Sequence, residues 1–279
     1  MDLSIIILTW NSISFLQECL ASIENNVSLT DYEVIVIDNK SEDGTTEFLQ
    51  ALPKGGRVRV VYNLMNRGVA PARNQGLAVA LGKYILILDV DTIVHKYAVE
   101  NLIEVMEAHR EIGLCGPKLV GIDGELQYSC RKFPNALSKL YRQLPEKWQP
   151  HILKDEELRD WSHDCLRNVG YVIGACQLIR RQALNQVGLL DGSMFYGVEE
   201  VDFCLRLWKR GWKVAYSPQA VVTHIQQRLG KKTFFNQFKL QHAKSLIIYF
   251  SKHRYLWKAP NIEHLQRLKT VGSLDGERK

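Results

Sequence analysis

Two aspartates one residue apart, Asp89 and Asp91, come directly after the apolar run Tyr84-Ile85-Leu86-Ile87-Leu88. Two such carboxylates can hold a hard cation such as Mg²⁺ or Mn²⁺, which takes oxygen ligands and shares them with substrate phosphates. Taken alone, an Asp-x-Asp is more often a solvated acidic turn. A second acidic group, Glu199-Glu200-Val201-Asp202, opens a helical pattern in which Val201, Leu205 and Trp208 share one face. Carboxylates suit a helix N-terminus because the helix dipole favours negative charge there. Three so close exceed what a cap requires, and crowding raises at least one pKa, as a general base needs. His224 ends the strand pattern Ala220-Val221-Val222-Thr223. A histidine there is ordinarily structural; beside a cation it is a candidate third ligand or a phosphate contact.

The elements that must position these groups alternate. Leu3–Leu8, Glu33–Ile37, Val58–Tyr62 and Tyr84–Leu88 read as strands, with helical spacing between them. After the first strand come Thr9-Trp10-Asn11-Ser12, with Ser12 a candidate helix cap and Ile13, Leu16, Leu20 and Ile23 at helical intervals. After the second comes Asp38-Asn39, and after the third Asn66-Arg67-Gly68 and Ala72-Arg73-Asn74. Strand–helix alternation predicts an α/β domain with a mostly parallel central sheet flanked by helices. Ligands of such sheets bind at the carboxyl ends of the strands, where Thr9, Asn11, Asp38 and Asp89 gather.

The glycine fingerprint of dinucleotide folds is missing after the first strand, and so is the phosphate-loop lysine motif. A phosphate-bearing ligand must then be held by a metal at Asp91 and by Arg67 or Arg73. Asp38 can accept a hydrogen bond from a base N–H. Together these residues describe a nucleotide-diphosphate site.

The chain has 279 residues, 46% hydrophobic and 24% charged, with a net charge of +6. That is the composition of an ordinary globular protein, and the modest charge permits phosphorylated ligands without requiring nucleic acid. Six scattered cysteines without a Cys-x-x-Cys pair predict reduced thiols rather than disulfides or a zinc site. The first residues lack a basic leader and are expected to run straight into the first strand. No apolar run reaches the roughly 18 residues that span a bilayer. The expected location is the cytoplasm.

Beyond Asp91 the pattern continues with a helix over 98–107, a short strand near Leu114-Cys115 and a turn at Gly121-Ile122-Asp123-Gly124, with Leu126–Ser129 a candidate strand. The stretch 134–168 is less regular, with Trp148, Trp161, His151, His163 and the run Lys154-Asp155-Glu156-Glu157. It reads as a partly helical acceptor-side or lid region, or equally as a surface excursion. From Phe234 to Trp257 the chain is aromatic and basic. A helix there packs on the domain, or lies with a basic face on an anionic membrane. The last residues, 272–279, are expected to fray.

In order and spacing, Thr9-Trp10-Asn11, the Val36-Ile37-Asp38-Asn39 stretch, Asn66-Arg67-Gly68 with Ala72-Arg73-Asn74, Asp89-Val90-Asp91 and the acidic motif before Arg206 resemble the inverting family-two glycosyltransferases of the GT-A fold, within them the bacterial rhamnosyltransferase-like group. The resemblance spans Ser4 to about His224. It implies a GT-A domain over 1–225, with a nucleotide-sugar half (1–92) and an acceptor-side half (93–225), followed by a helical tail (226–279). It implies Mg²⁺ or Mn²⁺ as cofactor, a dTDP- or UDP-sugar as donor, rhamnose among the sugars, and a saccharide or lipid-linked acceptor of cell-surface polysaccharide synthesis. Carried over by position, Thr9, Asn11 and Asp38 hold the nucleoside. Asn66, Arg73 and Asn74 shape the diphosphate and sugar side. Asp91 ligates the metal and Asp89 lies nearer the ribose. The base is Glu200, where the family's Glu-Asp pair has Asp, with Glu199 the alternative and Asp202 in the same motif. A sugar nucleotidyltransferase would need a glycine-rich basic loop after the first strand, which is absent. A non-catalytic nucleotide-sugar-binding protein would bind donor and not cleave it.

Overall fold

The computed structural model describes residues 1–142, 144, 151–225 and 237–266. Trp148 of the expected lid, and Phe234, Phe235 and 272–279 of the expected tail, lie outside the described residues. The first half runs β1 (Leu3–Thr9), α1 (Ile13–Asn26), β2 (Tyr32–Asp38), α2 (Thr45–Ala51), β3 (Val58–Tyr62), α3 (Val69–Val79), β4 (Tyr84–Asp89), β5 (Thr92–Val94) and α4 (Ala98–Ala108). The second half continues with β6 (Ile112–Val120), β7 (Leu126–Gln127), β8 (Cys130–Arg131), α5 (Ala136–Tyr141), α6 (His151–Glu156), β9 (Arg167–Asn168), β10 (Tyr171–Val172), β11 (Cys176–Arg180), α7 (Arg181–Val187), α8 (Glu199–Lys209), β12 (Lys213–His224) and α9 (Gln237–His253).

Among the described residues one large sheet has the path β3-β2-β1-β4-β11-β6-β12-β5. Its β3-β2-β1-β4 portion is parallel. Beyond β4 it becomes mixed: β11 is antiparallel to both β4 and β6, β12 is parallel to β6, and β5 is antiparallel to β12. Strand–helix alternation predicts the parallel portion only. The mixed portion follows from a strand, β11, inserted between its sequence-distant neighbours.

The central strands are covered on both faces, which is why they read as unbroken apolar runs rather than alternating ones. Ile5 and Ile7 of β1 pack with Leu16, Cys19 and Ile23 of α1 and with Val99, Leu102 and Met106 of α4. Ile6, between them, faces the opposite core with Ala72 and Leu77 of α3 and Val201 and Phe203 of α8. Strand periodicity places successive side chains on opposite faces, so one strand holds both layers to the sheet. Truncating a fully buried isoleucine of this kind costs about 2–5 kcal/mol.

Two local expectations are corrected. Ser12 precedes α1, but its hydroxyl donates to the Trp10 carbonyl (2.9 Å). The helix N-terminus is instead met by Asp43, whose carboxylate accepts from the Ile13 amide (3.0 Å). The irregular 134–168 stretch is no loose excursion where it is described: Glu156 and Glu157 are buried. They pair with Arg142, and Glu157 also pairs with Arg131 and Arg159. All six cysteines are free, and burial pushes the thiols of Cys19, Cys115 and Cys130 up to about 12. Among the described residues no helix is long and apolar enough to cross a membrane.

Candidate active site

Sheet register brings the first group of polar residues to one edge. Thr9 pairs with Asp38 across β1 and β2, and Leu8 pairs with Asp89 across β1 and β4. The chain leaves β4 through Val90 and Asp91 and enters β5, where Thr92 lies opposite His224 at the end of β12. This antiparallel pairing delivers a histidine from far along the sequence to the two aspartates. One ligand atom each from Asp89, Asp91 and His224 falls within 4.8 Å of the others. His224 Nε2 is 3.7 Å from Asp91 Oδ1, and both residues are buried. Two carboxylates and an imidazole form a donor set that suits a divalent cation.

Arg73 joins this group to the acidic helix. It is 4% exposed. Its Nη2 donates to Asp89 (2.5 Å) and to the Gly174 carbonyl (3.0 Å), and its Nη1 donates to Glu199 (3.3 Å). A Cβ at position 174 would come within 2.9 Å of Nη1, so a larger residue there would push the guanidinium aside. Against the expectation that Arg73 meets a diphosphate directly, its guanidinium is a buried bridge between two carboxylates. Arg67, in contrast, is exposed on the loop after β3. Burial raises the Glu199 carboxyl and the neighbouring Glu200 charge raises it further, with Arg73 opposing, to about 8. Among the described residues Glu199 Oε2 is buried without a hydrogen-bond partner.

The start of α8 is set by Val198, a β-branched residue with φ 64 and ψ 0. Left-handed backbone costs about 1–2 kcal/mol for a side-chain-bearing residue. Full burial of a valine side chain returns about 1.5–3 kcal/mol, and Val198 is 2% exposed. Packing therefore wins over strain, and the strained residue turns Glu199 and Glu200 into place. Glu200 is half-buried. Asp202, expected to act with them, is fully committed elsewhere: it accepts from Arg206 (2.8 Å) and His253 (2.8 Å) and pairs with Lys252 (2.8 Å). Burial alone would raise it, but the His253 hydrogen bond and the Arg206 and Lys252 charges carry it well below the usual carboxylate range. Asp202 thus locks α8 to α9.

On the nucleotide side, several expected contact residues build loops. Asp38 accepts from the Ser41 amide (3.0 Å) and the Thr46 hydroxyl (2.5 Å). Asn11, with φ 49, accepts from the Glu42 amide (2.7 Å) and so ties the first loop to the second. Asn66 accepts from Asn39 (2.9 Å) and from the Gly68 amide (2.9 Å). Asn74, expected at the diphosphate, has both ends of its amide on the Leu190 backbone (2.9 and 3.0 Å), anchoring the loop before α8. Thr9 is buried, with an unpartnered hydroxyl among the described residues.

Sequence reading missed three contributors. Asn39 links Asn63, Asn66 and the Arg67 amide; its place at a strand end was the available signal. Tyr196 lies tilted against Phe238 of α9 (5.3 Å), which in turn meets Trp10 (6.0 Å). These rings bring α9 back to the first strand's end. Gln127, on β7, contacts His224, and nothing in sequence spacing marks it.

A sequence profile of glycosyl transferase family 2 matches residues 4–188. The chain is 25% identical over 271 residues to the N-acetylglucosaminyl-diphospho-decaprenol L-rhamnosyltransferase of Mycobacterium tuberculosis, covering 92% of this chain and 87% of that one. It is 30% identical over 228 residues to the succinoglycan biosynthesis protein ExoO of Rhizobium meliloti, with 81% and 61% covered. In fold it is similar to the crystal structure of GalNAc-T7 with UDP, GalNAc and Mn²⁺ (TM-score 0.69, 21% identity), covering 89% of this chain and 47% of that one. This chain therefore spans about half the length of that neighbour. It is also similar to the mannosyltransferase PcManGT of Pyrobaculum calidifontis in complex with GDP-Man and Mn²⁺ (TM-score 0.62, 20% identity), with 93% and 66% covered. The sheet, the order of the motifs and the profile match over most of its length agree: the chain belongs to glycosyl transferase family 2, as a glycosyltransferase of the GT-A fold.

Proposed function

We propose that this protein is a divalent-metal-dependent, inverting transferase that moves a sugar, with rhamnose the leading candidate, from a dTDP- or UDP-linked donor to a saccharide or lipid-linked acceptor of a cell-surface polysaccharide. The observation that carries the reading is the convergence of Asp89, Asp91 and His224 at one sheet edge, bridged through Arg73 to the acidic start of α8. A bound cation would supply charge that stabilises the leaving nucleoside diphosphate. The two carboxylates suit either Mg²⁺ or Mn²⁺. Among the described residues, Arg67, exposed on the loop after β3, is a cation available to the diphosphate.

Glu200 is the base. It is half-buried and can meet an acceptor, whereas Glu199 is buried against Arg73. Glu200 takes the acceptor hydroxyl proton as that oxygen bonds to the anomeric carbon. The bond from that carbon to the diphosphate oxygen breaks on the opposite face, so the configuration inverts. Glu199 positions Arg73, which orients Asp89. The name of the mycobacterial relative specifies a lipid-linked acceptor and L-rhamnose; this is the support for both in the present chain. A lipid-linked acceptor would be met at a membrane surface. The outer side of α9 suits one, with Leu240 and Ile247 59% and 70% exposed, Trp257 just beyond at 65%, and Lys244 and Arg254 between them.

The test is a thermal-shift panel of nucleoside-diphosphate sugars with Mn²⁺ or Mg²⁺, followed by donor hydrolysis. A donor that binds only the folded state raises the melting temperature. Stabilisation by one nucleotide-sugar, dependent on metal, is expected. No stabilisation by any member of the panel, with metal present, overturns the reading.

A further inference from the structure

We infer that Gln127 is a positioning residue for the cation site, fixing His224 in the tautomer whose Nε2 is free to bind metal. The proposal rests on the metal-site reading above, and it extends that reading to a residue that touches neither cation nor substrate.

The argument begins at a hairpin. β6 turns at Gly121–Gly124 and returns as β7, placing Gln127 opposite Leu119. From there the Gln127 amide reaches the end of β12 and makes two contacts with one residue. Nε2 donates to the His224 carbonyl (2.7 Å), and Oε1 lies 2.9 Å from His224 Nδ1. The first contact decides the second. A backbone carbonyl only accepts, so the amide end facing it must be the NH₂ group. Reversing the amide would set two oxygens at 2.7 Å without a proton between them. The oxygen therefore faces Nδ1, and an oxygen acceptor requires Nδ1 to carry the proton. In a neutral imidazole the other nitrogen, Nε2, is then the bare one.

Nε2 points to the aspartates, 3.7 Å from Asp91 Oδ1. That separation exceeds a hydrogen bond, so Asp91 calls for no proton on Nε2. The lone pair of Nε2 and the carboxylate oxygens instead converge within 4.8 Å, as ligands of one ion do. Partners that hold the distal nitrogen of a ligating histidine fix its ring and tautomer, and their loss typically weakens metal binding about 10–100-fold.

Three variants, Gln127→Leu, Gln127→Glu and His224→Ala, together with the wild type, test this in nucleotide-free protein. Long-range ¹H–¹⁵N spectra of the metal-free wild type read the His224 tautomer directly. Electron paramagnetic resonance titration reads Mn²⁺ affinity. The expected result is an Nδ1–H tautomer in the wild type and Mn²⁺ binding lost in His224→Ala. Gln127→Leu is expected to weaken binding about 10–100-fold. Gln127→Glu keeps an acceptor for Nδ1–H but loses the donor to the His224 carbonyl, so it should bind Mn²⁺ more tightly than Gln127→Leu. If Gln127 only braced the strand end, Glu and Leu would fail alike, since both lose that donor. An Nε2–H tautomer in the wild type, a Gln127→Leu affinity equal to wild type, or equal failure of Glu and Leu overturns the proposal. A wild type that binds no Mn²⁺ overturns the metal reading itself, separately from the tautomer.

Discussion

Asp91 and Glu200 differ in what their loss should do, because they sit in different kinds of surroundings. Asp91 is buried where β4 passes into β5, next to His224 and outside the apolar layers. Asp91→Ala is expected to remove Mn²⁺ binding and metal-dependent turnover while circular dichroism stays native; near-normal hydrolysis with metal present would contradict its assignment. Glu200→Gln is expected to keep donor affinity and lose transfer by roughly 10²–10⁴-fold, the usual contribution of a positioned base. If Glu199→Gln were the inactive variant instead, with Glu200→Gln transferring normally, the base would be Glu199. Sequence spacing identified Asp89, Asp91 and His224 as a possible set because strand ends are easy to read. It did not show what Arg73, Asn74 and Asp202 hold within the protein, because such contacts depend on neighbours distant in sequence. Asn74 meets Leu190, and Asp202 meets His253. No local pattern carries either contact.

At the level of elements, α8 is the part that links chemistry to stability. Its Asp202 is fully buried and tied to α9 through Lys252 and His253. Removing one member of a buried ion cluster costs about 3–5 kcal/mol, so Asp202→Asn should lower the melting temperature sharply near neutral pH. Because the folded-state pKa of Asp202 is depressed, its contribution is present above the unfolded carboxylate value near 4 and declines as pH falls toward the folded value. The gap between wild type and Asp202→Asn is therefore expected to narrow below about pH 4 in thermal melts. A gap independent of pH would mean the cluster contributes by packing alone. The helices and the first strands were legible in the sequence, since burial on both faces writes apolar runs. The β5–β12 and β6–β7 pairings were not, because short strands of two or three residues leave no periodicity.

For the whole molecule, α9 is the element on which a membrane contact can be tested. One side packs, with Tyr249 and Phe250 in the core, and the other leaves Leu240 and Ile247 exposed. Sedimentation with anionic vesicles is expected to carry the protein down, less so at high salt, and Ile247→Glu should abolish this while donor hydrolysis is unchanged. Equal pelleting of that variant would place the contact elsewhere. The pairing of Thr92 with His224 has a consequence for synthesis as well. A ribosome releases Asp89 and Asp91 long before His224, and His224 before the His253 that fixes α8 through Asp202. A nascent chain carries two acidic side chains of the cation site with no imidazole beside them. Termination before His224 leaves the candidate cation site without its imidazole. The His253 contact that ties α8 to α9 forms only after all three candidate cation ligands have left the ribosome.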